Sequence, residues 1–475
     1  MSDRELEALF LEAEELPPDD VVKKITPWRK AMRYVIFGLV LSMININYWY
    51  LSYITQSLGY MLLVIGFRAL KNENGWFCAS FFFSVMRAVY YAAILILSAT
   101  IYQKSFIEAF YVPLSAVVIS LSLLHLICFR QAMAAVKKKS SLSGAPGAVT
   151  LLIIWQAAVF VTGIVGFSVI SGWIIIIAYA FIIICLYALS RDLEYVGYSI
   201  RPAAVKIPNL FVCIASALIV SIGIVCGYTF FRTLPMDWSA QEAITQNDLR
   251  ETLLALGFPN DILEDISEED IEKCKGATEV LVQSPNRENA LLTAMGFTQN
   301  TEEDVILRTI GVKTSETSWR IFYSFHWKND PGFYGSDTIC IYSPDYVNDT
   351  WQKDGDFSGR VLYDKDGGTY ASAYHSIMRE EYKKTSVFFG TSLKDEVFAE
   401  LTLPKTGANK RGYIACTITD MPEGYCAGLW FVYIHQVSWR QYPALTAKEY
   451  MTAPYSQSSD AFKNYTCGFF FSADI

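Results

Sequence analysis

Apolar runs long enough to cross a lipid bilayer recur through the first half of this chain, and the last of them ends at Phe231. A hydrocarbon core of about 30 Å needs ~20 helical residues at 1.5 Å rise each. Inside lipid such a run must satisfy its own backbone polar groups, which a helix does. Beyond Pro235 no run of comparable length occurs. The break predicts an α-helical transmembrane bundle over residues 34–231 and an extracytoplasmic α+β domain over residues 236–475. Seven spans are expected, at 34–51, 55–70, 80–101, 109–129, 149–169, 173–190 and 209–231.

Charge at the span ends predicts orientation. Arg29, Lys30 and Arg33 precede the first apolar region, and Arg68 and Lys71 follow the second. Both ends favour the cytoplasm, so a hairpin turning near residues 50–53 is expected rather than one long helix. From Lys23 to Lys206, segments assigned to the inside carry fourteen Lys and Arg, whereas the outer connections and the exit of the last span hold only Lys104 and Arg232. This bias puts the N-terminus in the cytoplasm and the C-terminal domain outside a plasma membrane. The first thirty residues are acidic and lack both a short apolar core and a small-residue cleavage site, so no secretory signal is expected.

The charge balance constrains partners. Residues 1–235 carry 18 Lys+Arg against 12 Asp+Glu, and residues 236–475 carry 21 against 35. An acidic soluble half lacks the basic surface that displaces counterions from nucleic acid, and it is equally unsuited to anionic headgroups. Nucleic acid is therefore excluded as a partner, and the lipid bilayer is required as one.

Residues 1–33 read as a cytoplasmic amphipathic arm. Ser2 and Glu5 have capping-box spacing, and Leu6, Leu9, Phe10, Ala13 and Leu16 share one helical face until Pro17-Pro18 stops the helix. Glu7, Glu12, Glu14 and Glu15 occupy the opposite face, which favours packing on protein over lying on a membrane. Thr26-Pro27 is an N-cap and first-turn pair for the first span.

Two stretches carry a resemblance. One is Leu16-Pro17-Pro18-Asp19-Asp20-Val21-Val22 with Thr26-Pro27-Trp28-Arg29. The other runs from Gly38 through Asn45-Ile46-Asn47 to Gly66-Phe67-Arg68-Ala69-Leu70 and Asn74-Gly75-Trp76-Phe77. Together they resemble an uncharacterised multi-spanning membrane protein family of anaerobic Gram-positive bacteria. In the outer domain, Gln441-Tyr442-Pro443 and Thr446-Ala447-Lys448-Glu449-Tyr450 are similar to the same group. The resemblance implies a bacterial plasma membrane and no particular activity.

Within the bundle, Arg87 lies about a third of the way along the expected third span. A mid-membrane charge costs about 2.5–3.5 kcal/mol on insertion scales and normally finds a partner. Asn45 and Asn47 in the first hairpin and His125 on the next span are the other polar candidates. They admit two readings: a polar path for a transported substrate, or a structural arginine satisfied within the protein. Gly163, Gly166 and Gly172, with Gly223 and Gly227, are expected to mark close helix contacts.

Residues 236–300 read as a small helical segment, with Thr245 and Ser267 opening helices and Gly257 and Gly276 closing them. The similar strings at 253–258 and 292–297 are explained by glycine stopping a helix. From 301 to 475 the pattern becomes alternating and aromatic, predicting an antiparallel β-sandwich or jelly-roll-like sheet. Strands are expected at 305–313, 319–328, 338–343, 360–364, 369–375, 386–391, 396–403, 411–419 and 428–438.

Candidate chemistry there is sparse. Asp354 with Asp356, or Asp364 with Asp366, lack the ligand count of a calcium site and read as hairpin turns. His326, His375 and His435 have no zinc spacing. Neither a catalytic motif nor a cofactor motif is present, so no metal and no cofactor is expected. Trp319, Trp327, Trp351, Trp430 and Trp439 are the candidate ligand-binding aromatics, and most are better placed as core, because they alternate with polar neighbours. Cys416 and Cys426 flank residues 420–424 almost symmetrically, which suggests a disulfide across a hairpin. The expected role is a membrane-anchored binding or sensor-like domain for an envelope protein or glycan. A transporter using Arg87 and a tethered hydrolase are the alternatives.

Overall fold

The computed structural model describes residues 27–43, 51–140, 146–165, 169–196, 198, 200, 207–241, 247–283, 304–342, 356–386, 390–419, 428–453 and 460–470. The N-terminal arm, Asn45, Asn47, Trp351, Cys426 and the string at 292–297 lie outside the described residues. The chain divides into two compact units: residues 1–97 with Gln103–Ile224, and Ser98–Tyr102 with Val225–Ile475.

The first unit is helical: α1 (Pro27–Met43), α2 (Leu51–Leu70), α3 (Gly75–Leu97), α4 (Gln103–Ala109), α5 (Tyr111–Lys139), α6 (Gly147–Val165), α7 (Val169–Tyr195) and α8 (Asn209–Phe230). Among the described residues five helices are long and apolar enough to cross a membrane: Leu51–Leu70, Gly75–Leu97, Tyr111–Lys139, Gly172–Tyr195 and Asn209–Phe230. All but Asn209–Phe230 depart from the expected spans by four residues or more at one end, and Leu51–Leu70 opens inside the expected turn at 50–53. Asn74 accepts a hydrogen bond from the Phe77 N–H at 2.9 Å, so α3 starts earlier than residue 80. Helix α5 runs on through Lys137, Lys138 and Lys139, ten residues past the expected end at 129. Lysines in a last turn complement the exposed carbonyls of the helix C-terminus, which extends the helix into water.

Helices α1 and α2 form an antiparallel hairpin with backbones in contact. A Cβ on Gly38 would lie 2.8 Å from the Leu63 nitrogen, and one on Gly66 would lie 2.9 Å from the Val35 nitrogen. One on Gly59 would collide with Ser42 backbone atoms. The glycine contacts expected further along are different. Gly163 and Gly172 have nothing within 4 Å, Gly166 lies outside the described residues, and Gly223 faces the Ile96 side chain. Helix packing in an apolar medium depends on surface shape, which hydropathy does not report.

Polar bonds gather helix ends in this unit. The Trp28 indole donates to the Ser190 carbonyl at 3.1 Å, and its ring meets Tyr198 edge-on at 5.1 Å. The Tyr198 hydroxyl donates to Glu73 at 2.8 Å, and Lys139 stands 3.8 Å from that carboxylate. Arg29 lies 3.7 Å from Glu194.

The second unit contains two antiparallel sheets. Its strands are β1 (Ser239–Ala240), β2 (Glu279–Gln283), β3 (Val305–Lys313), β4 (Trp319–Trp327), β5 (Asp337–Tyr342), β6 (Ser358–Lys365), β7 (Gly368–Ala373), β8 (Ser376–Ser386), β9 (Gly390–Leu401), β10 (Ala408–Ile418), β11 (Gly428–Gln436) and β12 (Phe462–Phe470). Seven strands pair in the order β1-β7-β6-β10-β4-β3-β2, and five in the order β12-β11-β5-β9-β8. Aromatic side chains fill the space between the sheets: Tyr323 stacks on Phe431 at 5.2 Å and Phe325 on Tyr433 at 4.6 Å. Alternation along β4 sends Ile321, Tyr323 and Phe325 into this core and Arg320, Phe322, Ser324 and His326 to the opposite face.

That opposite face is partly covered by α9 (Asp248–Ala255), α10 (Asn260–Leu263) and α11 (Glu268–Glu272). Leu253, Phe258, Leu263 and Ile271 pack on Ile310, Phe322 and Ala415. Ser267 caps α11 as expected; Asn247 caps α9, and Thr245 lies outside the described residues. Gly257 and Gly276 take φ of 98° and 87°, the left-handed backbone that ends a helix. A buried ion pair pins the layer down: Arg320 donates to Asp270 at 2.7 Å, and Tyr413 donates to the same carboxylate at 2.7 Å. Helix α12 (Ala447–Thr452), held by a Thr446/Glu449 capping box, lies over the five-stranded sheet, with Ala447 packed among Cys340, Phe398 and Ile434.

Four strand expectations need correction. β2 falls in the segment read as helical, and β12 was not foreseen. β8 and β9 form one long hairpin instead of the short strands at 386–391 and 396–403. β8 is an edge strand whose Arg379, Glu380, Glu381, Lys383 and Lys384 hide its strand character, and Arg379 pairs with Asp395 across the ladder. Finally, β10 and β11 belong to different sheets, so these two strands do not pair as a hairpin; residues 420–427 between them lie outside the described residues. Cys416 is a free, buried thiol, and the hairpin that suggested its pairing with Cys426 is absent.

Candidate functional site

The helical layer stops short of one end of the seven-stranded sheet, and a cleft of about 340 Å³ opens there. Asp261, Glu264 and Asp265 form its helical wall. Arg308 from β3, Ser324 and His326 from β4, Asp364 from β6 and Arg411 from β10 form its floor. His326 and Arg411 are opposite each other in the β4–β10 ladder, so register alone makes them neighbours.

A bulge shapes this floor. The β10–β6 register shifts between Ala408 and Arg411, and Asn409 adopts φ of 54°. Asparagine tolerates that left-handed conformation better than most side chains do. The bulge aims the Asn409 amide between two partners: its Nδ2 donates to Asp364 at 2.6 Å, and its Oδ1 stands 2.5 Å from His326 Nε2. An amide oxygen only accepts, so the His326 proton sits on Nε2 and Nδ1 is left as an acceptor.

Arg411 bridges two carboxylates, with Nε bonded to both Asp265 oxygens at 3.0 and 2.8 Å and Nη1 to Asp364 at 2.9 Å. The two acids respond oppositely. Burial dominates at Asp265 and raises its pKa despite Arg411. Burial also opposes charge at Asp364, but hydrogen bonds from Asn409, Arg411 and Thr369 outweigh it and lower the pKa. Arg308 pairs with Asp261 at 2.7 Å on the rim. The cleft is thus pre-organised, with two arginines bonded among four carboxylates and a net excess of negative charge.

His326 and Asn409 also border a second cleft of about 550 Å³ lined by Trp327, Asp330, Gly407 and Lys410. Lys410, only 3% exposed, donates to Gly407 O and Tyr334 Oη, both at 3.1 Å. Tyr334 donates to Asp330 at 2.5 Å, and this bond chiefly lowers the Asp330 pKa. The walls of both clefts are therefore held by bonds already made.

The residues singled out in the sequence are placed as follows. Trp319, Trp327 and Trp430 are 8%, 5% and 6% exposed and belong to the core, so they offer no stacking platform to solvent; Trp439 is exposed. Arg87 and His125 are brought together, with Nη1 3.0 Å from Nδ1. His435 is buried against Asp337 at 3.0 Å, away from His326 in a different sheet. Asp366 and Gly367, with φ of 51° and 79°, form the β6–β7 turn. Asp356 pairs with Lys273 at 3.0 Å. Among the described residues no group of three or more His, Cys, Asp or Glu could hold a metal.

Asn409, Arg411, Asp265 and Arg308 escaped the sequence reading. A charged residue such as Arg411, alternating with core-facing positions in an otherwise buried strand, was the available signal. The bulge that turns Asn409 inward has no sequence signature of its own. No protein-family model matches the chain, and no curated protein matches it.

Proposed function

We propose that this chain is a multi-pass membrane protein that displays its β-sandwich outside the cell to bind a polar ligand of the envelope. The proposed topology has seven spans, counting α1 and α6 with the five longer helices. Helix α1 has 17 residues and is packed into a hairpin with α2, while α6 has 19 apolar residues. The inward ends are those carrying Arg29, Arg68 and Lys137–139, in keeping with the positive-inside bias. Ser98–Tyr102, an outer loop in this topology, belongs to the same unit as the β-domain: Ala444 N–H donates to Ser98 O at 2.8 Å. The resemblance of the first eighty residues makes a bacterial plasma membrane the proposed setting.

One observation carries the binding role: a preformed cleft floor in which His326, Asn409, Asp364 and Arg411 are mutually bonded and open to solvent on one side. Pre-organised polar groups lower the ordering cost of binding, and a lining rich in carboxylate acceptors with amide and guanidinium donors suits a neutral, hydroxyl- or amide-rich ligand. Envelope glycan or peptide has that chemistry. The test is calorimetry on the full chain in nanodiscs with soluble envelope glycan and peptide fragments. His326→Ala is expected to weaken binding about tenfold, the value of one lost hydrogen bond in a desolvated site. Equal binding by wild type and His326→Ala, or none by wild type, would refute the reading.

A further inference from the structure

Two of the long apolar helices, α3 and α8, end at Leu97 and Phe230. At a rise of about 1.5 Å per residue, the 22 residues of α8 span about 33 Å, the thickness of a hydrocarbon core and little more. In the spanning reading its last residue therefore stands at a membrane surface. The segments that follow the two helices belong to one unit, Ser98–Tyr102 with Val225 onward, and they meet. The Ile101 N–H donates to the Phe231 carbonyl at 3.1 Å, and the Tyr102 and Phe231 rings meet edge-on at 6.5 Å. Two exits thus mark one level.

The β-domain is tied to that level at several points within the same unit. The Ala444 N–H donates to the Ser98 carbonyl at 2.8 Å. The Leu234 N–H donates to Thr402 Oγ1 at 2.9 Å, and that hydroxyl donates to the Gly335 carbonyl at 2.9 Å. The Arg232 guanidinium lies over the Phe333 ring at 4.9 Å. Gln436 extends the tie, since its Oε1 accepts from the Ser336 N–H and its Nε2 donates to the Ser438 carbonyl, both at 3.1 Å. Residues 437–443 are therefore a short loop pinned by Gln436 on one side and by Ala444 on the other. Trp439 in this loop is 62% exposed, and its neighbours Val437 and Arg440 are exposed with it. Tyr102, Phe230 and Phe231 at the span exits are exposed too. Scattered apolar side chains on a surface need no explanation, but these five gather around one pair of span exits. An indole is favoured between water and hydrocarbon, and an arginine beside it can lay its stem on apolar surface with its head at the phosphates.

We propose that the loop 437–443 anchors the β-domain on the lipid surface, with Trp439 and Val437 in the headgroup zone of the bilayer and Arg440 at lipid phosphate. This anchor rests on the reading that α3 and α8 span a membrane, and not on which side the domain faces or on what the cleft binds. It makes Trp439 a lipid contact rather than a ligand-binding aromatic.

The test uses the full chain, labelled throughout with fluorotryptophan, in phosphatidylcholine nanodiscs and read by fluorine NMR. Trp439→Phe and Trp173→Phe, both at exposed positions, assign the two resonances. The relaxation agents are phosphatidylcholine carrying a nitroxide just below the headgroup, and a gadolinium chelate dissolved in the water. Trp439 is expected to broaden about threefold more with the lipid label than with the chelate, as a ring held in the interface would. Trp173, at the end of the apolar stretch Gly172–Tyr195, should also broaden with the lipid label. If Trp173 does so but Trp439 responds as strongly or more strongly to the chelate, the anchor is overturned and the spanning helices stand. Failure of Trp173 to respond to the lipid label would overturn the spanning reading and the anchor together.

Discussion

The α1–α2 hairpin and the β-sandwich solve the same packing problem with opposite means. In the hairpin, Gly38, Gly59 and Gly66 let two backbones touch. In the sandwich, Tyr323, Phe325, Phe431 and Tyr433 fill the gap between sheets with stacked rings. Helices α7 and α8 are apolar at many exposed positions, as at Ile174, Ile177, Leu218 and Ile222, whereas the strands of the second unit keep their apolar side chains buried between the sheets and under the helical layer. Where the surroundings are as oily as the core, exposure costs nothing and only shape selects a contact. Where the surroundings are water, burial itself selects the face.

The contrast can be broken most severely at the buried ion pair. Arg320 is fully buried and Asp270 2% exposed. Asp270→Ala leaves that arginine only the exposed Asp356 carboxylate at 3.7 Å and should cost about 3 kcal/mol, measured as a fall in the denaturation midpoint of the β-domain. If the loss is under 1 kcal/mol, the helical layer is not held by this pair. Next in size is Gly59→Leu, which drives a side chain into Ser42 and should destabilise the bundle by about 1–3 kcal/mol. Gly163→Leu, with open space around it, should leave thermal unfolding unchanged. Similar penalties at the two glycines would mean the hairpin seam is not special.

A smaller effect lies in pH. At His435 burial opposes charge, but the Asp337 carboxylate 3.0 Å away and the Pro331 carbonyl outweigh it and raise the pKa above 6.5. A raised folded-state pKa stabilises below the unfolded value, so this contribution is complete below about pH 6.5 and fades as pH rises through the higher folded value. Asp270 works in the other direction. Burial opposes its charge, yet bonds from Ser358, Tyr413 and Arg320 hold its pKa below 3.8, so its contribution is lost as acid takes the pH below that value. His435→Gln should flatten the loss of stability on the alkaline side and leave the acid limb intact. An unchanged alkaline limb in unfolding titrations would show that His435 is not its source.

The same contrast sets what could be read from the sequence. Strand β3 was legible to the residue at 305–313, because it is a β-branched run in which Val305 and Leu307 alternate with the less buried Ile306 and Arg308. The Asp366-Gly367 turn was legible because its backbone demands those residue types. Edge strand β8 was not, since its charges serve to keep the edge unpaired and erase the apolar signal. The cleft was visible only in fragments, His326 and Asp364 among them, because a helical layer that ends too soon and a bulge at Asn409 bring its members together from positions up to 150 residues apart. In the bundle, Arg87 and His125 were both noticed, but their pairing depends on a helix start set by Asn74 and on which faces of two apolar helices meet.

The topology on which the binding role depends is tested most directly by protease added to intact bacteria expressing the chain with a tag after Ile475 and another before Met1. The C-terminal tag should be clipped from the outside while the N-terminal tag survives until the membrane is permeabilised. Clipping of the N-terminal tag with protection of the C-terminal domain would invert the map and contradict the proposed display of the cleft to the envelope.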